Sequence, residues 1–207
     1  MPNWMRIALE VSGDEQQQKE FFEKIIKDNK SFVISGGTGS GKTTLLNSLL
    51  SSCDEKQRIL IIEDSRELNP QHPHVVSLES RPANIEGMGL ITMKDLIKQS
   101  LRMRADRLII GEVRGIEVID WLSALNTGHR GSAGTIHANS IHEVVIRFES
   151  LGLISGLSKD AIHSQLKTAL NYVIHIEKDS QGKRKVVSLG ELKVDEKGYL
   201  CVEELPL

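Results

Sequence analysis

The 207-residue sequence predicts a mainly parallel, three-layer α/β sheet with an antiparallel hairpin at its C-terminus. Two observations support this prediction. Short apolar runs alternate along the chain with longer segments whose apolar residues follow helical spacing, which is typical of a parallel sheet covered by helices on both faces. After residue 172 the pattern changes to strand-like runs, and the turn formers 195–198 join the last two of them into a hairpin.

The predicted strands are short runs rich in apolar residues and bounded by turn formers, a pattern that favours buried strands over helices. The run 108–110 is apolar throughout, which indicates burial on both faces. In chain order the predicted strands cover 31–35, 58–62, 75–78, 108–110, 133–137, 173–177, 185–194 and 199–203.

The predicted helices are recognised by apolar spacing and by end signals. Asp14 to Gln17 can cap the first helix, and Gly128 is a stop signal for the fourth. Met93, Leu96, Ile97 and Leu101 share one face of the third. In chain order the predicted helices cover 14–28, 42–50, 92–104, 116–125, 140–151 and 158–170.

The composition is that of an ordinary globular protein, with 39% apolar and 26% charged residues. A net charge of −2 argues against an autonomous nucleic-acid-coating module, so no direct nucleic-acid binding is expected. No apolar run approaches the roughly 18 residues of a membrane span, and the N-terminus lacks the apolar core of a signal peptide. Cys53 and Cys201 are too few for a disulfide framework, so a reducing, cytoplasmic compartment is expected.

The strongest motif is a phosphate-binding loop between the first predicted strand and the second predicted helix. Glycines let backbone N–H groups approach phosphate oxygens, and the helix N-terminus adds its positive dipole end. Lys42 is expected to reach the β- and γ-phosphates of a nucleotide, and the Thr43 hydroxyl is expected to coordinate Mg²⁺. The motif consists of Gly36, Gly37, Thr38, Gly39, Ser40, Gly41, Lys42 and Thr43, and Thr44 follows it.

Acidic residues follow two other predicted strands. Glu112 comes after the strand 108–110, and Glu63 after the strand 58–62. Because the carboxyl ends of parallel strands meet at one edge of a sheet, both acids are expected beside the phosphates. There Glu112 can hold Mg²⁺ through water or polarise the attacking water. Taken singly, either acid also fits a helix cap or a solvated turn.

Histidine and arginine side chains complete the predicted site. His137 lies at the end of the predicted strand 133–137 and can donate to the γ-phosphate. A cluster of arginines could clamp the charge on the transferred group, in cis or from a neighbouring subunit, although a solvated helix face is an equal alternative for each. The cluster contains Arg102, Arg104, Arg107 and Arg114. The basic run 183–185 is interpreted as a solvated turn.

In their order, these motifs resemble the type II/type IV secretion ATPases, a family of hexameric P-loop traffic ATPases. The resemblance extends from about residue 15 to 195. Three short motifs are similar to those of the type IV secretion and conjugal-transfer branch and of the tight-adherence pilus ATPases. They are Gly-Glu-Val-Arg-Gly, Leu-Asn-Thr-Gly-His and Thr-Ile-His-Ala-Asn. The four boxes are the phosphate loop at 36–44, an "Asp box" at 61–68, a Walker B region at 101–115 and a "His box" at 127–139.

The resemblance implies a RecA-like domain that hydrolyses ATP with Mg²⁺. It also implies a homo-oligomeric, hexameric ring at the cytoplasmic face of the inner membrane, working with secretion machinery in type IV secretion or conjugal transfer. Glu63 would be the Asp-box acid acting on water, Glu112 the Walker B acid and His137 the γ-phosphate contact, with Arg114 among the nucleotide-binding residues. The predicted organisation is a lead-in at 1–14 and a RecA-like ATPase domain at 15–207, without the family's N-terminal domain.

Three alternatives remain open from the sequence. The chain could be a nucleotide-binding assembly subunit that hydrolyses ATP weakly or not at all, or a tight-adherence pilus ATPase. A small P-loop kinase is a weaker third possibility, since no arginine-rich lid is recognisable in the sequence.

Overall fold

A computed structural model describes residues 15–206 as a single sheet with helices on both faces. The strands are β1 (Phe32–Ser35), β2 (Ile59–Glu63), β3 (Val75–Glu79), β4 (Arg107–Ile110), β5 (Ala133–Ile136), β6 (Tyr172–Lys178), β7 (Arg184–Val194) and β8 (Leu200–Leu205). The helices are α1 (Glu15–Lys27), α2 (Lys42–Leu50), α3 (Met93–Ser100), α4 (Glu117–Asn126), α5 (Glu143–Ile154) and α6 (Lys159–Ala169). The predicted lead-in at 1–14, with the cap at Asp14, lies outside the described residues.

The strand order is β3-β2-β4-β5-β1-β6-β7-β8. The strands from β3 to β6 in this order run parallel, so their carboxyl ends share one edge. β7 is antiparallel to β6, and β8 is antiparallel to β7. The predicted parallel sheet with a C-terminal antiparallel hairpin is confirmed.

The antiparallel part contains one more hairpin than the sequence predicts, because β6 also turns directly into β7. Asp179 makes this turn: its carboxylate Oδ1 accepts hydrogen bonds from the N–H groups of Gln181 and Lys183, at 2.9 and 2.8 Å. Gly182 supplies the positive φ of 84° that the turn needs. The tight turn carries the chain back along β6 and places the first residue of β7, Arg184, next to the phosphate loop.

The two faces of the sheet have separate cores. On one face α1 and α2 pack with residues such as Phe22, Leu46 and Leu49. On the other face α3 to α6 pack around Trp121 and Phe148, whose rings stack with centroids 6.5 Å apart. All residues of β1, β2, β4 and β5 are buried, as expected for parallel strands covered on both faces. The three layers are therefore as predicted.

The third predicted helix begins as expected but is shorter than predicted. Thr92 and Asp95 form a reciprocal capping box at its N-terminus. The regular helix ends at Ser100, and turns occupy 101–104, where Arg104 has a positive φ of 53°. Within the described part of the chain, no helix combines the length and apolar character that crossing a bilayer requires.

Arg107 is a buried residue that ties the amino ends of several elements together. Its guanidinium donates to the backbone oxygens of Gly131 and Ile26, both at 2.7 Å, and to side-chain oxygens of Gln57 and Asn29 at 2.8 and 2.6 Å. The side chain is only 1% exposed. Arg107 therefore stabilises the edge opposite to the carboxyl ends of the strands, and the prediction that it could clamp a phosphate is wrong.

Replacing Arg107 with lysine should destabilise the fold by about 2–3 kcal/mol, because an ammonium cannot reproduce four hydrogen bonds from a planar fork and leaves buried acceptors unpaired. Urea denaturation would measure the change in the free energy of unfolding. Arg102→Lys is the matched control, since Arg102 is exposed and should change that free energy by less than about 0.5 kcal/mol. Equal midpoints for R107K and the wild type would contradict this role.

Candidate functional site

A cleft of about 350 Å³ lies over the carboxyl ends of the parallel strands, the edge at which ligands bind in open α/β sheets. The phosphate loop between β1 and α2 forms one wall, and the segments that follow β2, β4 and β5 form the other. The lining residues are Thr38, Gly39, Gly41, Lys42, Thr43, Thr44, Glu63, Asp64, Ser65, Glu67, Gly111, Glu112, Arg114, Thr135, His137 and Arg184.

Two glycines of the phosphate loop are required by their surroundings. A Cβ on Gly36, whose φ is 154°, would lie 2.3 Å from the backbone oxygen of Ile176. Gly41 has a φ of 101° and immediately precedes α2, and a Cβ there would lie 2.6 Å from Cδ of Arg184. The backbone contact excludes a side chain at Gly36, and the left-handed φ disfavours one at Gly41, so the loop can follow the sheet edge closely and open directly into the helix.

Lys42 extends back over its own loop. Its Nζ donates to the backbone oxygens of Gly36 and Gly37, both at 2.9 Å, and lies 3.5 Å from Nδ1 of His137. Burial lowers the pKa of the Lys42 ammonium, and the nearby Glu112 carboxylate opposes this shift. The ammonium thus lies at the junction of the phosphate loop, β4 and β5, held by oxygens that a phosphate group can replace.

Glu112 lies between two nitrogen-bearing side chains. One carboxylate oxygen, Oε2, accepts a hydrogen bond from the guanidinium of Arg114. The other, Oε1, lies 2.6 Å from Nε2 of His137, but this contact lacks hydrogen-bond geometry. Among residues 15–206, Oε1 is therefore buried and makes no hydrogen bond of good geometry, although other atoms of Glu112 line the cleft.

Burial and the neighbouring cations favour the neutral form of the His137 ring, and the Glu112 carboxylate opposes them. Burial lowers the pKa of His137, and the positive charge of Lys42 lowers it further. Since Lys42 has only donors to offer, Nδ1 is the accepting nitrogen and the ring proton lies on Nε2, facing Glu112. His137 is thus a neutral donor on the wall of the cleft.

Glu63 ends β2 and fixes the loop that follows it. Its Oε1 accepts hydrogen bonds from the N–H groups of Glu67 and Leu68, at 3.2 and 3.0 Å. Burial raises the pKa of the Glu63 carboxyl, and these two donors oppose the rise. The loop then places the Glu67 carboxylate 3.3 Å from Oγ1 of Thr43, so the Asp box meets the phosphate loop directly.

Thr43 and Glu112 are the residues that fit a magnesium ion. Both line the cleft, and both offer the oxygen ligands that Mg²⁺ prefers. The Glu112 side chain is 18% exposed and lines the cleft, so its carboxylate can hold the ion through a water molecule. The residues present therefore suit an ion that is held by one hydroxyl, by phosphates and by water.

Most of the predicted site residues line this cleft: Thr38, Gly39, Gly41, Lys42, Thr43, Thr44, Glu63, Glu112, Arg114 and His137. Three loop residues do not: Gly36 and Gly37 hold Lys42 through their carbonyls, and Ser40 is buried. Arg102 and Arg104 are exposed in the turns before β4, near Arg107 and not at the cleft edge.

The predicted site residues do not include six residues that line the cleft: Asp64, Ser65, Glu67, Gly111, Thr135 and Arg184. Glu67 and Thr135 lie within the quoted Asp and His boxes, so the motifs contained the signal that they belong to the site. Thr135 donates to the backbone oxygen of Gly111 at 2.6 Å and so fixes β5 against the segment before Glu112. Arg184 had no such signal: it is exposed directly after the turn, in keeping with the solvated turn that the sequence predicts, but it also lies over Gly41 and lines the cleft.

The strand order and the phosphate loop define the RecA-like fold of the P-loop NTPases. The chain belongs to the Type II/IV secretion system protein family, whose family model matches residues 2–198. The resemblance stated from the sequence motifs is confirmed.

Similar proteins come from secretion and conjugation systems. A putative conjugal transfer protein of Mycobacterium tuberculosis is 48% identical over 169 residues, which are 82% of this chain and 48% of the relative. The type IV secretion system protein VirB11 of Bartonella quintana is 31% identical over 176 residues, again 82% of this chain and 48% of the relative. The chain thus spans about half the length of these curated relatives.

Solved structures of other proteins have a fold similar to that of this chain. The VirB11 ATPase from the Brucella suis type IV secretion system, crystallised in complex with sulphate, has a TM-score of 0.71 and 27% identity. The match covers 87% of this chain and 56% of that one. The pilus retraction motor PilT with bound ADP has a TM-score of 0.59 at 20% identity, covering 100% of this chain and 54% of that one, and supports the fold alone.

The buried carboxyl of Glu63 should make stability depend on pH. Because its pKa is higher in the folded than in the unfolded chain, folding takes up protons between the two values, and the free energy of unfolding falls as pH rises through that interval. Glu63→Gln keeps an acceptor for the Glu67 and Leu68 N–H groups but cannot ionise. E63Q should therefore be more stable than the wild type at pH 7, and the difference should disappear below about pH 4.

Denaturant titrations at several pH values would measure this difference. Glu67→Gln is the matched control, because it removes an exposed carboxylate from the same loop and leaves the buried one in place. A stability gain for E63Q that is the same at pH 3.5 and pH 7 would show that ionisation of Glu63 is not its cause.

Proposed function

We propose that this chain hydrolyses ATP with Mg²⁺ as the catalytic domain of a type IV secretion or conjugal-transfer ATPase. The observation that carries the proposal is the convergence of three groups beside the phosphate loop: the Lys42 ammonium, the Glu112 carboxylate and the neutral His137 ring. A cation, a base and a neutral donor are the groups that phosphoryl transfer to water requires.

Each group has a distinct task in this proposal. The N–H groups of the phosphate loop and of the first turn of α2 bind the phosphates, and Lys42 exchanges the Gly36 and Gly37 oxygens for those of the β- and γ-phosphates. Glu112 orients the attacking water and accepts its proton, and His137 donates from Nε2 to the γ-phosphate. Mg²⁺, when bound through Thr43 and Glu112, neutralises charge that develops on the phosphates.

Glu63 and Arg114 have supporting roles. Oε1 of Glu63 accepts hydrogen bonds from the loop that follows β2 and so fixes the position of Glu67. In this proposal the other carboxylate oxygen, Oε2, binds water in the cleft. Arg114 releases Glu112 when a nucleotide binds and its phosphate oxygens become available. The guanidinium of Arg114 then stabilises the negative charge on the phosphates. Arg114 has a side chain that is 63% exposed and can reach either its own nucleotide or that of a neighbouring subunit.

The assembly and location follow from the family and are part of the proposal. We infer a homo-oligomeric, hexameric ring that works with inner-membrane secretion components at the cytoplasmic face of that membrane. The named relatives in conjugal transfer and type IV secretion support this assignment. They favour a secretion or conjugation ATPase over a tight-adherence pilus motor or a non-hydrolysing subunit.

The Glu112→Gln variant should separate binding from hydrolysis. The amide preserves the shape of the side chain but cannot accept a proton from water, so ATP turnover should fall by about 100-fold or more. Binding of a non-hydrolysable ATP analogue with Mg²⁺ should stay as tight or become tighter, since a negative charge near the phosphates is removed. Single-turnover kinetics and calorimetry would measure the two quantities.

Lys42→Ala is the complementary variant and should lose both binding and turnover, because the phosphates lose their fixed cation. Lys56→Ala removes an exposed lysine from the loop between α2 and β2 and is the control for charge alone. Unchanged turnover in K42A, or hydrolysis at the wild-type rate in E112Q, would contradict the assignment. A wild type that binds ATP without hydrolysing it would favour the assembly-subunit alternative.

A further inference from the structure

Arg184 lies on one side of the phosphate loop, and the acidic residues Glu63 and Glu112 lie on the other side. Arg184 is the first residue of β7, which reaches the phosphate loop through the tight turn after β6. The stem of its side chain lies across Gly41: a Cβ on that glycine would be 2.6 Å from Cδ and 3.1 Å from Nε of Arg184. Arg184 is also one of the residues that line the cleft.

The guanidinium of Arg184 is not neutralised by the protein. Among residues 15–206 it forms no hydrogen bond and no ion pair, and the residue is exposed. The contrast with its neighbours is clear, because Lys185 pairs with Asp179 at 3.6 Å and Arg114 is bound to Glu112. A cation that lines an anion-binding cleft without a partner keeps its charge and its planar donors for a ligand.

The two ends of the cleft differ in chemistry. In the sheet, β5 and β4 lie on one side of β1, and β6 and β7 lie on the other. The groups proposed to act on the γ-phosphate, Glu112 and His137, follow β4 and β5. Arg184 comes from β7, and the phosphate loop with Lys42 lies between the two ends. A nucleotide with its γ-phosphate beside Glu112 therefore extends its nucleoside half toward Arg184.

We propose that Arg184 binds the nucleoside half of the bound nucleotide, meaning the α-phosphoryl group and the base attached through the ribose. This inference rests on the proposed function and deepens it. A guanidinium can bind both the α-phosphoryl group and the base, since its N–H groups bind phosphate oxygens and its flat face stacks on a purine. ATP and ADP share this half, so Arg184 contributes to the binding of both and takes no part in the chemical step.

The test compares Arg184→Met with the wild type by calorimetric titration of Mg-ADP and of a non-hydrolysable Mg-ATP analogue. Methionine retains an unbranched stem beside Gly41 but removes the guanidinium. Kd should rise about tenfold for both ligands, and the ratio of the two constants should not change. The kcat at saturating ATP should stay within about twofold of the wild type.

Lys183→Ala is the matched control, because it removes one exposed positive charge from the same turn and Lys183 does not line the cleft. Unchanged affinities in R184M would overturn the inference, as would an equal loss of affinity in K183A. A loss confined to the ATP analogue would place the guanidinium at the γ-phosphate and overturn it too. A wild type that binds neither nucleotide would refute the proposed function itself, and this inference with it.

Discussion

Parallel strands present their carboxyl ends to a single edge of the sheet, and the architecture of the cleft depends on this constraint. β1 delivers the phosphate loop to that edge, β2 delivers Glu63, β4 delivers Glu112 and β5 delivers His137. These residues are far apart in the sequence but meet in the cleft. Each lies at the end of a short buried strand, and hydrogen bonds fix the register of that strand with its neighbours. At the opposite edge, Arg107 ties neighbouring segments together through its buried hydrogen bonds.

Charges in the cleft are balanced by replaceable partners. Lys42 is held by loop carbonyls, Glu112 by Arg114 and by the proximity of His137, and Thr43 by Glu67. Each contact limits the cost of keeping a polar group partly away from water. Phosphate oxygens, Mg²⁺ and water can take the place of these internal partners, so the cleft is organised for a highly charged ligand before that ligand binds.

The sequence predicted those helices and strands that are determined by neighbouring residues in the chain. The helix at 42–50 matched its bounds because glycine and lysine of the phosphate loop mark its start. Features that depend on distant contacts were not predictable. Arg107 and Arg114 look alike in the sequence, yet one is buried at the amino end of β4 and the other follows its carboxyl end. Arg184 reaches Gly41 only because β6 pairs with β1 and turns directly into β7, which no motif records.

We propose that Lys42, Glu112 and His137 form the γ-phosphate end of a nucleotide cleft, and a crystal structure of the chain with Mg²⁺ and a non-hydrolysable ATP analogue would test this. We expect Nζ of Lys42 to leave the Gly36 and Gly37 oxygens and to lie within hydrogen-bond distance of β- and γ-phosphate oxygens, with Glu112 beside the γ-phosphate. An analogue bound outside this cleft, or a Lys42 that still contacts both carbonyls with the analogue bound, would contradict the proposed role of these three residues.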